Sequence, residues 1–169
     1  MKTQHTHEME RLWSALTLMH ELHEGQVDKC GQPYWIHPFT VAMRGFTGYG
    51  GQDETYAIVG LLHDILEDTD ITEQELLLRF PMKIDEREAL ELLTRKDGMS
   101  YDDYITSIID SGNEIAMSVK MDDLLHNGCL SRMVDAGLPI TEKDERRKEK
   151  YKKAFDRLHK AINKENNNV

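Results

Sequence analysis

The sequence lacks the basic surplus, the long apolar runs and the cysteine pairs that mark several common classes of protein. Its 169 residues include 31 acidic and 21 basic side chains, and the net charge of −10 argues against binding to duplex nucleic acid, which needs a basic surface. No apolar run is long enough to cross a bilayer, and the first residues lack a signal-peptide core. Cys30 and Cys129 form no CxxC pair and are expected to be free thiols. We therefore expect a cytoplasmic protein without a membrane anchor.

Strands, repeats and linkers are equally scarce. No segment shows the alternating pattern of a half-buried strand, whereas apolar residues recur at helical spacing along the chain. Side chains typical of helix N-caps precede several of these segments, at Thr72, Ser100, Asn113 and Thr141. The pattern predicts one compact all-α domain over residues 1–169, a helical bundle of about seven to nine helices. Its core is expected over about residues 8–163, with short flexible tails at both ends.

The most informative segment is His63-Asp64-Ile65-Leu66-Glu67-Asp68, which closes the apolar run of residues 57–62. Because no proline interrupts this run and Asp53 can cap it, we predict one buried helix that continues to about Asp68. Three carboxylates and a histidine then crowd the last turn, where the helix dipole is negative, so a cation is expected there. The alternative is an acidic helix end that simply faces water.

Two further positions carry side chains suited to binding a metal. His37 directly precedes Pro38, which fits the first turn of a helix, and Asp123 lies on a later helix that Asn113 opens. If these residues converge with the histidine and the aspartate at 63 and 64, two imidazoles and two carboxylates result. Such a set favours a six-coordinate divalent ion; Mn²⁺ fits well, and Fe²⁺ or Zn²⁺ is possible. The absence of cysteine from the set argues against a structural zinc site.

The end of the segment adds two carboxylates to this hypothetical metal centre. On one helix, Glu67 and Asp68 would lie one turn beyond His63 and Asp64. A metal lowers the pKa of its bound water, and a neighbouring carboxylate can orient the water or take its proton, which predicts a hydrolase. Four basic residues are candidates for holding a phosphate: Lys29, Arg95, Lys96 and Lys120.

One of these basic residues belongs to a polar stripe. Lys120, Asp123 and Asn127 share one face of their predicted helix. Their apolar neighbours favour a stripe that faces a pocket. An ordinary Lys–Asp pair on a solvated face would give the same spacing.

Three motifs resemble, in order, those of the HD superfamily of metal-dependent phosphohydrolases. The resemblance is closer still to the hydrolase domains of RelA/SpoT-type alarmone enzymes and to the small alarmone hydrolases. Residues 23–38 contain His-x-Gly-Gln and Lys-x-Gly-x-Pro-Tyr-x-x-His-Pro, residues 63–69 read His-Asp-x-x-Glu-Asp-Thr, and residues 119–127 read Val-Lys-x-x-Asp-x-x-His-Asn. Residues 93–96 match a Leu-Thr-(Arg/Lys)-Lys stretch between them. The resemblance covers about residues 10–160.

The resemblance implies an HD-type helical fold and a Mn²⁺ site. The implied ligands are His37, His63, Asp64 and Asp123, and the implied pair that activates water is Glu67 and Asp68. The implied reaction removes the 3′-pyrophosphate of guanosine 3′,5′-bis(diphosphate) or a similar adenosine nucleotide. By position, Lys29 would lie in a basic loop, Tyr34 would line the nucleotide pocket and Asn127 would contact the ribose region.

The chain departs from the family pattern at positions that read the nucleotide. The alarmone enzymes usually have Arg-Lys where this chain has Asp28-Lys29, and Ala-Asp-Arg where it has Asp122-Asp123-Leu124. A later threonine of the pocket corresponds to Leu130. We therefore expect a small-molecule nucleotide as substrate and keep two alternatives open. One is a phosphatase acting on another nucleotide phosphomonoester, and the other is a metal-bearing nucleotide-binding module with little turnover.

Overall fold

The computed structural model describes the backbone of residues 2–47 and 54–166 and the side chains of residues 8–45 and 54–164. Within these ranges every regular element is a helix, which confirms the all-α prediction. Eight helices have seven or more residues, within the predicted number, and α4 and α9 are shorter. The helices are α1 (Lys2–Leu22), α2 (Ile36–Thr47), α3 (Glu54–Leu62), α4 (Ile65–Asp68), α5 (Glu73–Arg79), α6 (Ile84–Leu93), α7 (Tyr101–Asp110), α8 (Glu114–Gly128), α9 (Ser131–Asp135) and α10 (Glu142–Asn166).

The predicted N-caps begin four of these helices. Thr72 and Glu75 form a reciprocal capping box at α5, and Ser100 accepts a hydrogen bond from the Asp103 amide at α7. Helices α8 and α10 begin in the same way, at Asn113 and Thr141. The first helix begins at Lys2, within the segment that was predicted to be a flexible tail. The predicted cap Asp53 and residues 167–169 lie outside the described ranges.

The helix predicted to continue through residue 68 is in fact two helices. The structure ends α3 at Leu62 and starts α4 at Ile65, with His63 and Asp64 in the turn between them. His63 Nδ1 lies 2.8 Å from the carbonyl oxygen of Gly60, which in an uninterrupted helix would accept from the amide of residue 64. The side chain thus competes with the helical ladder, and the prediction of one continuous helix was wrong.

Helices α2 and α3 form the centre of the bundle. Helix α3 contacts α1, α2, α6 and α8, and most of its residues are buried. The two helices contribute to both apolar clusters of the described core. Val41 and Val59 join the cluster around α7, α8 and α10, and Ala42 and Ile58 join the one around α1 and α5. His37 on α2 and His63 directly after α3 therefore lie next to this packed pair of helices.

The two central helices touch through their backbones at Gly60. A Cβ atom built on this glycine would lie 2.9 Å from the Cα of Ala42 and 3.0 Å from its amide nitrogen. These distances leave no room for a side chain, so glycine permits the close approach of α2 to α3. Across the described residues, each helix is too short or too polar to span a bilayer.

Candidate metal centre

The structure brings the four predicted metal ligands together. His37 lies in the first turn of α2, His63 and Asp64 form the turn after α3, and Asp123 lies on α8. His37 Nε2 is 3.2 Å from both Asp64 Oδ2 and Asp123 Oδ1. His63 Nε2 is 3.1 Å from Asp64 Oδ1 and 3.9 Å from Asp123 Oδ1. Three segments distant in sequence therefore direct nitrogen and oxygen atoms at one point.

The chemistry of this cluster fits a divalent cation. One ligand atom each from His37, His63 and Asp123 lies within 4.8 Å of the other two, and all three residues are buried. Both Nε2 atoms are fully buried and make no hydrogen bond of acceptable geometry within the described residues. Leaving buried polar atoms unpaired is costly, and a cation shared with the carboxylates would satisfy both.

Both histidines are oriented through their other ring nitrogen. His63 Nδ1 donates to the Gly60 carbonyl oxygen, and His37 Nδ1 lies 2.6 Å from Nδ1 of His126. A proton on Nδ1 leaves the lone pair on Nε2 directed at the centre. His126 was not among the predicted site residues, although its place three residues after Asp123 on α8 was the available signal.

His126 is suited to accept this hydrogen bond because it stays neutral. Burial, together with the nearby positive charges of His37, Arg132 and Arg44, lowers the pKa of His126 to about 4. A neutral imidazole can accept at Nδ1 from the proton on the His37 ring. The orientation of the metal-site histidine therefore depends on a second, uncharged histidine behind it.

The carboxylates of the cluster remain ionised. Burial raises the pKa of Asp64, but the two histidines outweigh it and hold the pKa at about 2. Burial also opposes ionisation of Asp123, whose pKa is nevertheless held well below its usual range by Lys120 and both histidines. Burial lowers the pKa of His37, but the two carboxylates raise it to about 9. The two carboxylates thus favour positive charge at this point, and a bound cation would replace the proton on Nε2 of His37.

The polar stripe of α8 supports Asp123. Lys120 Nζ lies 2.7 Å from Asp123 Oδ2 and 5.0 Å from the centroid of the Tyr104 ring, and its side chain is 13% exposed. Asn127 donates from Nδ2 to Asp123 Oδ1 at 2.5 Å. The Lys–Asp pair is therefore buried, not solvated. The structure places both predicted substrate-binding residues of this stripe against a predicted metal ligand.

The predicted water-activating pair lies on the exposed side of the cluster. Glu67 and Asp68 are exposed on α4, and Glu67 Oε1 accepts from the amide of Arg95 at 2.5 Å. The Tyr34 hydroxyl lies 2.6 Å from Asp68 Oδ2 and 2.8 Å from Asp64 Oδ2. Burial and these two carboxylates raise the pKa of Tyr34, so the phenol keeps its proton. One hydroxyl thus links Asp68 to a metal-site carboxylate.

The basic residues proposed for phosphate binding have different surroundings. Lys29 Nζ lies 3.5 Å from Asp144 Oδ1 at the start of α10. Lys96 lines two cavities of about 380 and 360 Å³ on either side of α6. Arg95 and Lys120 both lie near Lys150, whose pKa is lowered by burial and then by neighbouring cations. The positive charge nearest the metal cluster therefore comes from Lys120, with Arg95 and Lys150 beside it.

The residues that depart from the family pattern are buried or hydrogen-bonded in the folded protein. Asp28 Oδ1 accepts from the amides of Cys30 and Gln32, and its Oδ2 lies 3.2 Å from Arg132 Nη1. Leu124 and Leu130 are 3% and 8% exposed. A cavity of about 250 Å³ beside the metal cluster is lined by Asp28, Tyr34, His37 and Arg132, among others. Asp28 thus stabilises its own loop through backbone hydrogen bonds and forms an ion pair with Arg132 of α9.

Comparison with known proteins supports the resemblance stated from the motifs. No family model matches the chain. It is 38% identical over 77 residues to a guanosine-3′,5′-bis(diphosphate) 3′-pyrophosphohydrolase of Borreliella burgdorferi, covering 46% of the chain and 11% of that protein. It is 41% identical over 81 residues to the protein of the same name from Aquifex aeolicus, covering 48% and 11%. It is 27% identical over 115 residues to the bifunctional (p)ppGpp synthase/hydrolase SpoT of Escherichia coli, covering 68% and 16%.

The fold also has a counterpart among solved structures. A structure described as that of a metazoan ortholog of SpoT that hydrolyzes ppGpp aligns with a TM-score of 0.68 and 21% identity, over 88% of this chain and 85% of that one. The helical fold of this chain is therefore similar to that of the metazoan protein. The resemblance to RelA/SpoT-type hydrolases is confirmed, and the chain spans between a tenth and a sixth of the curated relatives named above.

Proposed function

We propose that this chain is a Mn²⁺-dependent phosphohydrolase that removes the 3′-pyrophosphate from a guanosine, or adenosine, 3′,5′-bis(diphosphate)-type nucleotide. The observation that carries the proposal is the convergence of His37, His63, Asp64 and Asp123, with two buried Nε2 atoms directed at one point. The names of the relatives support the substrate class.

The four converging residues would hold the ion. When bound, a divalent ion would polarise a phosphate oxygen and lower the pKa of a water molecule. Lys120 and Asn127 hold the two oxygens of Asp123, and Tyr34 holds an oxygen of Asp64, so the ligand carboxylates keep fixed orientations.

The chemistry assigned to the protein itself is proton transfer. Attack of water on the phosphorus bonded to the ribose 3′-oxygen breaks that phosphorus–oxygen bond, releases pyrophosphate and leaves a 3′-hydroxyl group. Asp68, with Glu67 beside it on the same turn, takes a proton of the attacking water and passes it to the departing 3′-oxygen. Lys120 and Arg95 supply positive charge for the phosphates.

The test is release of pyrophosphate from guanosine and adenosine 3′-pyrophosphate nucleotides by the Mn²⁺-loaded protein. Glu67→Gln and Asp68→Asn should each lower the rate by about 100-fold or more. Asp70→Asn, at an exposed position of the same segment, is the matched control and should leave the rate unchanged. Absence of pyrophosphate release from every nucleotide would reject the proposed substrate class.

The departures around Asp28 favour one alternative within the same chemistry. The resemblance places nucleotide-reading groups at three positions where this chain differs. Here they are Asp28, which pairs with Arg132, and the buried Leu124 and Leu130. A phosphatase acting on another nucleotide phosphomonoester would use the same metal cluster. Inorganic phosphate in place of pyrophosphate as the product would identify it, whereas tight nucleotide binding without turnover would indicate a binding module.

A further inference from the structure

The helix that carries Asp68 is too short to hold its own position. Helix α4 consists of four residues, so its last carbonyl groups have no partner within the helix. A single turn gains little from its own hydrogen bonds, and its geometry depends on contacts from outside. The position of the exposed Asp68 carboxylate must therefore be set by other elements.

Gln26, in the turn after α1, provides such a contact. Its side-chain Nε2 donates to the carbonyl oxygen of Asp68 at 2.9 Å, across 42 positions of sequence. This bond satisfies the terminal carbonyl of α4 and fixes the end of the turn in space. It involves neither the side chain of Asp68 nor any predicted metal ligand.

His23 fixes the orientation of this amide. His23 Nδ1 lies 2.9 Å from Gln26 Oε1, and the histidine is 1% exposed. Because the Asp68 carbonyl oxygen can only accept, the amide nitrogen must face it and the amide oxygen must face His23. The ring nitrogen must then carry the proton. The buried histidine thus directs the donor of Gln26 at α4.

Tyr34 completes the arrangement from the same loop. Its backbone amide donates to the carbonyl oxygen of Gln26 at 2.9 Å, and its ring centroid lies 4.9 Å from that of His23. Its hydroxyl lies 2.6 Å from Asp68 Oδ2. The loop therefore holds Asp68 at two points, the main chain through Gln26 and the carboxylate through Tyr34.

We propose that His23 and Gln26 are positioning residues for Asp68, a role that rests on the proposed function of Asp68 as the proton acceptor. They act through the carbonyl oxygen of Asp68 and keep its carboxylate beside the metal cluster. This gives a role to the histidine and the glutamine of the first motif, neither of which is a predicted metal ligand. Misplacement of a reacting group by about 1 Å can cost on the order of 100-fold in rate.

The first test is Gln26→Glu, which keeps the shape of the side chain but replaces its donor by an oxygen. This change should lower kcat for pyrophosphate release by about 10- to 100-fold, while KM and the affinity for Mn²⁺ stay within about twofold. Glu24→Gln, exposed in the same turn, is the control and should leave kcat unchanged. Gln26→Met, which also removes the donor, replaces Gln26→Glu if that variant does not fold.

A double variant separates positioning from a general defect. In an Asp68→Asn background, Gln26→Glu should lower kcat no further, because the carboxylate that it positions is already absent. A second loss as large as that in the wild-type background would overturn the proposal.

Hydrogen exchange gives a readout that does not require activity. Gln26→Glu should accelerate exchange of the amides of residues 65–69 by about tenfold or more, with α3 and α8 unchanged. Unchanged exchange in this segment would overturn the positioning role, whatever the rate of hydrolysis. Accelerated exchange in a protein that hydrolyses no nucleotide would support the positioning of Asp68 and reject the proposed function.

Discussion

The Nδ1 atoms of His37 and His126 face each other at 2.6 Å. His126, which is not a predicted ligand, therefore controls the orientation of the His37 ring. His126 stays neutral because burial and neighbouring cations lower its pKa to about 4. It therefore accepts the Nδ1 proton of His37, so that Nε2 is the ring nitrogen directed at the predicted metal site.

His126→Phe should weaken Mn²⁺ binding. The phenyl ring keeps the packing but cannot accept the proton, and losing a partner behind a ligand typically costs about 10- to 100-fold in metal affinity. Isothermal titration with Mn²⁺ measures the change. The same substitution at the exposed His20 is the control, and equal affinity in all three proteins would contradict this role of His126.

Added Mn²⁺ should stabilise the protein by mass action. At a free concentration about 100 times Kd, binding to the folded state alone adds about 2.7 kcal/mol, which for a chain of this size corresponds to a rise in Tm of about 5–10 °C. Differential scanning fluorimetry measures the shift. His63→Ala should abolish it, since Nε2 of this residue points into the cluster. A full shift in that variant would place the metal elsewhere.

Gly60→Ala should separate the two central helices. The new methyl group would lie 2.9 Å from the backbone of Ala42, and forcing the helices apart should lower the free energy of unfolding by about 1–3 kcal/mol. Gly45→Ala is the matched control on α2. Its Cβ would make an ordinary contact at 3.5 Å with Tyr56 and should be neutral or stabilising by up to about 1 kcal/mol.

The same substitution should also affect the metal site. Because α2 carries His37 and α3 leads into His63, Gly60→Ala should weaken Mn²⁺ binding as well as stability. Urea denaturation and metal titration of both variants test the two effects together. Loss of stability without any change in metal affinity would show that the close approach serves packing alone.

Asp122→Asn should stabilise the protein in a pH-dependent way. Burial raises the pKa of Asp122 to about 6, against the opposing charge of Arg44. The folded pKa therefore exceeds the unfolded one, and the ionised side chain is a penalty to folding above pH 6 that disappears as the pH falls towards 4.

The gain from Asp122→Asn should accordingly be about 1–2 kcal/mol at pH 8 and should vanish near pH 4. Urea denaturation of both proteins at pH 8, 6 and 4 measures this difference. Asp110→Asn, exposed at the end of α7, should stay within about 0.5 kcal/mol of the wild type at each pH. A gain that does not depend on pH would contradict this account.

Much of the fold was predictable because local chemistry determines it. The spacing of apolar residues and the side chains of Thr72, Ser100 and Asn113 specify helices and their starts, and these interactions reach only three or four residues along the chain. The candidate ligands were identified from residue type and motif order. Their convergence on one point is a property of the packed helices.

Other features were not predictable because they depend on contacts between distant elements or on competition between side chain and backbone. Helical spacing alone cannot show that the ring of His63 occupies the carbonyl oxygen of Gly60 and ends α3. Nor can it show that His126 lies behind His37, because 89 positions separate them. Nor can it show that the pair of Lys120 and Asp123 is buried and does not lie on a solvated face.

Through its hydrogen bond to Gly60, the side chain of His63 both ends helix α3 and orients a predicted metal ligand. The same ring nitrogen that ends α3 also fixes which nitrogen remains available at the centre. A replacement at this position therefore alters the course of the chain and the set of donor atoms together. Gly60 affects the packing as well as the ligand: its lack of a side chain allows α2 to approach α3, and its carbonyl oxygen accepts the hydrogen bond from the imidazole of His63. Evolution towards a different donor at position 63 would thus require a new way to end the helix as well as a new ligand.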